Sequence, residues 1–215
     1  MNKNLLLIAA LLTGSFVTAP ARAVPVTPSP TFTSGDMTFD TFTCKVVSGN
    51  GLTCGGIDVS PYVSTTPPDP IAGQNGITIQ GAFNAFPATE DVILTYEGHI
   101  TEALFHDAEM YFNGTAVSSV SEQIFNLDNG DLIGTLFVTN PPPIFTDHVV
   151  LSEDATNIEV IKDIGLALNN GVPGTISLVD QNFSQIAAAP EPASITLFGS
   201  ALLGLGLLGR RRKIV

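Results

Sequence analysis

The sequence predicts an all-β exported protein: an antiparallel β-sandwich of jelly-roll type, set between an N-terminal signal helix and a short C-terminal transmembrane helix. Three observations predict it. Apolar and polar residues alternate with period two along most of the interior, as at Val92, Leu94 and Tyr96, the pattern of strands with one buried face. Asn-Gly pairs and proline clusters punctuate these runs, as turns and loops require. Each end carries an uncharged apolar segment beside basic residues.

The N-terminal element is residues 1–23. Lys3 gives a positive start, Leu5 to Leu12 are apolar without interruption, and Ala21-Arg22-Ala23 has the small-x-small form of a cleavage site. This is a secretory signal peptide for Sec-type export, cut after Ala23. Its apolar core makes a helix of roughly 12 Å, too short for a hydrocarbon layer of about 30 Å.

Residues 24–189 form the passenger, long enough to bury about 70% of its unfolded surface in one domain. Val24 to Pro30 reads as an extended tether. Alternation begins at Met37 and Phe39 and returns at Val92, Leu94 and Tyr96, then at Ile158, Val160, Ile164, Leu166 and Leu168, with Lys162 interrupting the last run. Turn signals stand at Asn50-Gly51, Asn75-Gly76, Asn113-Gly114, Asn129-Gly130 and Asn170-Gly171, and proline clusters at 67–70 and 141–143 exclude central strands. Nine or ten strands fit this spacing. Thr101 to Phe112 contains helix formers, but Leu104, His106, Ala108, Met110 and Phe112 alternate, and Asn113-Gly114 closes the segment as a hairpin. We read it as a strand.

Cys44 and Cys54 lie in the exported part, where disulfides persist. A hairpin that pairs Val47 with Gly51 around Ser48-Gly49-Asn50 would set the two cysteines opposite each other and predicts a bridge. Two free buried thiols are the other reading.

Residues 190–215 form the last element. Pro190-Glu191-Pro192 precedes seventeen uncharged residues, 193–209, and then the basic tail 210–215 with Arg210, Arg211, Arg212 and Lys213. Seventeen residues make a helix of about 26 Å, near the lower limit for a span. The cationic tail stays in the cytoplasm, so the passenger lies outside, in agreement with the signal peptide. This order of elements resembles the PEP-CTERM sorting signal. The resemblance implies recognition through Pro190, Glu191 and Pro192 by an exosortase, a membrane protease that removes the tail, and hence a precursor held in the inner membrane before it reaches the surface or the exterior. An ordinary single-span anchor is the plainer alternative. Asp180 to Gln185, Asp-Gln-Asn-Phe-Ser-Gln, also resembles a phrase near the end of some PEP-CTERM passengers and implies a β-sandwich but no activity.

Trimming both ends leaves Lys45 and Lys162 against nineteen acids, so the exported part carries 2 − 19 = −17. That field repels phosphates and excludes nucleic acid as a partner. His99 and His106 stand among Glu97, Glu102, Asp107 and Glu109, where carboxylates and imidazoles could hold a metal, or form a solvated polar face. Asp128-Asn129-Gly130-Asp131 gathers oxygen ligands at a glycine turn, so Asp128 and Asp131 are candidate calcium ligands, and Glu153-Asp154 sits in a second loop. A plain hairpin turn explains that segment equally well. Asn113 and Asn182 match glycosylation acceptors. No nucleophile elbow occurs, Trp is absent, and the tyrosines are Tyr62, Tyr96 and Tyr111. The expected function is therefore a structural or adhesive protein of the cell surface or matrix, without catalysis. The alternative is a module that binds or hydrolyses polysaccharide, which a groove lined by tyrosines or paired carboxylates would favour.

Overall fold

The computed structural model describes residues 23–49, 52–63 and 75–187. Through them run β1 (Val24–Pro25), β2 (Phe32–Ser34), β3 (Met37–Ser48), β4 (Ile57–Val63), β5 (Asn75–Asn84), β6 (Glu90–Ile100), β7 (Ala103–Phe112), β8 (Val117–Asn126), β9 (Leu132–Asn140), β10 (Thr146–Ala155), β11 (Asn157–Asn169), β12 (Val172–Pro173) and β13 (Thr175–Ala187). Ten of these have seven residues or more, in line with the predicted strand number. The first sheet has the order β1-β4-β5-β13-β7-β10 and the second β2-β3-β6-β11-β8-β9, with β12 paired to β11. Neighbours within both sheets are antiparallel. The predicted signal helix, cleavage residue Ala21 and span 193–209 lie outside the described residues. Among the described residues no helix is long and apolar enough to cross a membrane.

Alternation decides which side chains meet between the sheets. In β6 the odd-even pattern holds throughout: Val92, Leu94 and Tyr96 are fully buried while Asp91, Ile93 and Thr95 are not. Phe183 of β13 joins the layers, with its ring 5.3 Å from Phe105 in its own sheet and 6.0 Å from Phe39 in the other. Such ring pairs add about 0.5–1.5 kcal/mol each beyond the area they bury. Asn170 and Gly171 have φ of 51° and 82° and join Asn169 to Val172, the two-residue turn whose positive φ angles suit a right-twisted hairpin.

Several sequence readings change. Val24–Pro30 is not a free tether, because β1 pairs with β4 and Val26 is buried. Asn75-Gly76 is strand rather than turn. A Cβ on Gly76 would lie 1.8 Å from the Gln181 carbonyl oxygen, so the glycine serves close backbone approach. Asn113-Gly114 does not close a hairpin, since β7 and β8 belong to different sheets. The side chain of Asn113 instead accepts from the amides of Ser177 and Leu178, each at 3.0 Å. In β7, Phe105 rather than Leu104 faces the core, because a register shift between Phe105 and Asp107 reverses the alternation. Glu153 and Asp154 lie in β10, not in a loop.

The Cys44–Cys54 disulfide is present, with Cα atoms 5.8 Å apart, but its setting differs from the predicted hairpin. Cys44 lies on β3, opposite Leu94 of β6, whereas Cys54 opens a 3-10 turn that leads into β4 of the other sheet. The bridge therefore ties one sheet to the approach of the other.

Candidate functional site

The outer face of the first sheet gathers polar side chains in two rungs across five strands. One rung runs Tyr62, Gly76, Asn182, Glu109, His148, and the next Ser60, Thr78, Asp180, Tyr111, Thr146. At about 4.8 Å per strand the rungs extend roughly 19 Å. Their middle is packed in: Asn182 is 2% exposed, and Thr78, Asp180 and Glu109 are 8–9% exposed. Thr78 Oγ1 donates to Asp180 Oδ1 at 2.6 Å. Asn182 Oδ1 is buried and accepts no hydrogen bond among the described residues. Tyr62 and Tyr111 border this centre from either side, half-buried and exposed respectively, and His148 Nε2 stands 3.7 Å from Asp107 Oδ2. Carboxylates, a carboxamide and hydroxyls can hydrogen-bond hydroxyl groups, and tyrosine rings can stack on apolar faces, but on this face the open groups are those on the flanks.

This face was not singled out from the sequence. A signal was present: in Val179-Asp180-Gln181-Asn182-Phe183 three polar residues follow one another inside an otherwise apolar strand. Only the register of β13 between β5 and β7 shows that Asp180 and Asn182 share a face with Thr78, Glu109 and Tyr111. The burial of Asn182 also removes it as an accessible glycosylation acceptor in the folded domain.

The second sheet carries the group, among the described residues, in which three potential metal ligands come together: Asp40, Glu97 and His99, their ligand atoms within 4.8 Å of one another. Asp40 faces Glu97 across β3 and β6. His99 Nε2 lies 3.3 Å from Asp40 and 3.5 Å from Glu97, and Nδ1 lies 3.0 Å from Asn157 Oδ1. Burial works against its charge, but Asn157, Asp40 and Glu97 outweigh it and raise the imidazole above its ordinary pKa. The imidazole thus lies between the two carboxylates and the Asn157 carboxamide. His106 is not part of it and pairs with Asp154 at 2.7 Å.

The candidate calcium ligands lie at the β8–β9 turn. Asp128 accepts from Asn157 Nδ2 at 3.2 Å and Thr156 Oγ1 at 3.4 Å, while the Asp131 amide donates to Asn129 Oδ1 at 2.9 Å. Glu153 accepts from Asn126 and Asn129. Amide and hydroxyl donors thus bind the Asp128 and Glu153 carboxylates at this turn. A separate open cavity of about 400 Å³ lies among Leu52, Thr53, Gly56, Ala82, Asn84, Phe86 and Glu90. Burial pushes the Glu90 carboxyl up from its ordinary pKa, partly offset by the Asn84 amide.

Comparison with known proteins bears on the C-terminus. Residues 188–213 match the family model described as the PEP-CTERM protein-sorting motif. The chain carries a PEP-CTERM sorting signal. The match spans Pro190, Glu191, Pro192, Arg210, Arg211 and Arg212. A PEP-CTERM signal implies an exported protein, processed at a membrane through recognition by an exosortase. Among solved structures, TmCBM61 in complex with beta-1,4-galactotriose is similar at 9% identity and a TM-score of 0.39, over 67% of this chain and 89% of that one. The C-terminal domain of a chitobiase from Bacteroides fragilis is similar at 12% identity and a TM-score of 0.33, over 74% and 99%. The family 11 carbohydrate-binding module of the cellulosomal cellulase Lic26A-Cel5E of Clostridium thermocellum gives 12% and 0.29, over 70% and 90%. The likeness is confined to the fold. No curated protein matches the chain.

Proposed function

We propose that the PEP-CTERM signal delivers this β-sandwich to the cell surface or extracellular matrix, where it acts as a non-catalytic adhesive module. Its ligand on this reading is a polysaccharide held against the outer face of the first sheet. The observation that carries it is the pair of rungs with Thr78, Asp180, Asn182 and Glu109 as their packed centre and Tyr62, Tyr111 and His148 on their accessible flanks. Carboxylates and a carboxamide suit sugar hydroxyls, and a tyrosine ring suits the apolar face of a sugar. The charge of −17 on residues 24–189 favours neutral over anionic glycans, because like charge raises the cost of approach.

Calorimetric titration of the exported protein with fragments of neutral matrix polysaccharide tests the reading. Tyr111→Ala and Glu109→Gln should each weaken binding about tenfold, close to 1.4 kcal/mol, with unchanged melting temperature for Tyr111→Ala. Equal affinity in wild type and both variants would remove the face from the proposal. Release of new reducing ends during the titration would replace adhesion by hydrolysis.

A further inference from the structure

Lys162 occupies a position that the alternation of β11 assigns to the core, between Val160 and Ile164, and it is fully buried. Its Nζ donates to Glu122, directly opposite on β8. It donates also to Gln181 Oε1 at 2.6 Å, on β13 of the other sheet, and lies 3.5 Å from Met110 Sδ. Gln181 is fully buried and Glu122 nearly so. Glu122 Oε1 has no hydrogen-bond partner among the described residues. Register places Leu94, Met110 and Ile77 beside these three side chains, and Val120 and Ile124 flank Glu122 on its own strand, all buried.

Three polar groups in a water-excluded core raise a chemical question, because a charged ammonium there is costly. Desolvation pushes the Lys162 amine well below its ordinary pKa. Desolvation thus disfavours the ammonium form, and the neutral form of the amine carries a free electron pair. A desolvated lysine amine is a nucleophile. The carbonyl group within its reach is that of Gln181, and fixed packing supplies the proximity that turns a slow bimolecular reaction into an intramolecular one.

We propose that Lys162, Gln181 and Glu122 form a self-crosslinking site in which Lys162 Nζ becomes joined to Gln181 Cδ as an amide bridging the two sheets. The Nζ electron pair adds to Cδ, and the carbonyl π pair moves onto Oε1. Glu122, carrying the proton that the ammonium gave up, delivers it to the side-chain nitrogen Nε2 and then takes the proton that Nζ must still lose. The Cδ–Nε2 bond then breaks as the carbonyl reforms, and ammonia leaves. One C–N bond forms, one breaks, no electrons are gained or lost, and no cofactor is needed. The product replaces a buried amine and carboxamide by one neutral amide, whose N–H donates to the Glu122 carboxyl. Together with the Cys44–Cys54 bridge, this would join the sheets covalently twice, a useful property for a protein exposed to proteases and mechanical load outside the cell. The inference stands apart from the polysaccharide reading and survives its failure.

Peptide mass spectrometry of the full-length protein, purified without denaturant and then reduced, alkylated and digested at acidic residues, tests it. The expected result is a joined species of the Lys162 and Gln181 peptides, lighter than their sum by one ammonia. Lys162→Arg and Glu122→Gln should abolish it. Circular dichroism would report whether they fold, and the wild-type digest decides without them. Separate peptides at their sequence masses would overturn the proposal. Loss of one water instead, joining the Lys162 and Glu122 peptides, would overturn the assignment to Gln181, as would ammonia loss located at any other residue.

Discussion

Replacing Tyr96 by phenylalanine removes one oxygen and nothing else. The ring is fully buried, stacked on Phe42 with centroids 5.4 Å apart and edge-on to Phe39 at 6.1 Å. Its hydroxyl has no hydrogen-bond partner among the described residues. A buried hydroxyl left unsatisfied costs about 1–3 kcal/mol, while phenylalanine keeps both ring contacts. Tyr96→Phe should therefore stabilise the protein by about 1 kcal/mol, which for a domain of this size raises Tm by roughly 2–4 °C. A second readout has a definite sign. Burial holds the phenol well above its ordinary value of 10.0, so above that pH the unfolded chain loses a proton that the native state keeps. The unfolded state then binds fewer protons, and stability falls as pH rises, by up to about 1.4 kcal/mol per pH unit. The phenylalanine variant lacks this part of the alkaline loss. Urea unfolding at neutral pH and at two alkaline values measures both effects. A loss above about 1 kcal/mol at neutral pH would mean that a water or other partner satisfies the hydroxyl, and an unchanged alkaline limb would refute the titration argument.

Two further perturbations probe other parts of the molecule. The Cys44–Cys54 bridge closes a short loop with a sequence separation of 10, so the double Cys→Ser variant should lose about 2–3 kcal/mol on loop-closure grounds, seen as a lower urea midpoint; no shift would mean that the unfolded chain gains nothing from the loop. The His99 imidazole, raised by Asn157, Asp40 and Glu97 against the effect of its burial, contributes stability that is full below its unfolded pKa near 6.5 and is lost as pH rises through the folded value. NMR titration should find His99 above 6.5 and lower in Asp40→Asn; an ordinary value in both would break the ion-pair reading.

What the sequence determined by itself rests on local and compositional physics. Period-two alternation assigns the strands because a side chain's face depends on its parity alone, and Asn170-Gly171 forms its turn because both residues tolerate positive φ. The sorting signal is legible for the same reason: proline, an uncharged stretch and a basic cluster act through order and composition. Tertiary structure decided which strands became neighbours. It set Cys54 in the 3-10 turn before β4 rather than across a hairpin from Cys44, turned Asn75-Gly76 into strand and passed the chain between sheets at Asn113-Gly114. It also placed Asp180 and Asn182 beside Glu109 and Tyr111, and buried Lys162 against Glu122 and Gln181. Contacts across a sandwich join residues tens of positions apart, and no local spacing encodes them: they depend on strand order and on a register in which one residue of slip reverses every face.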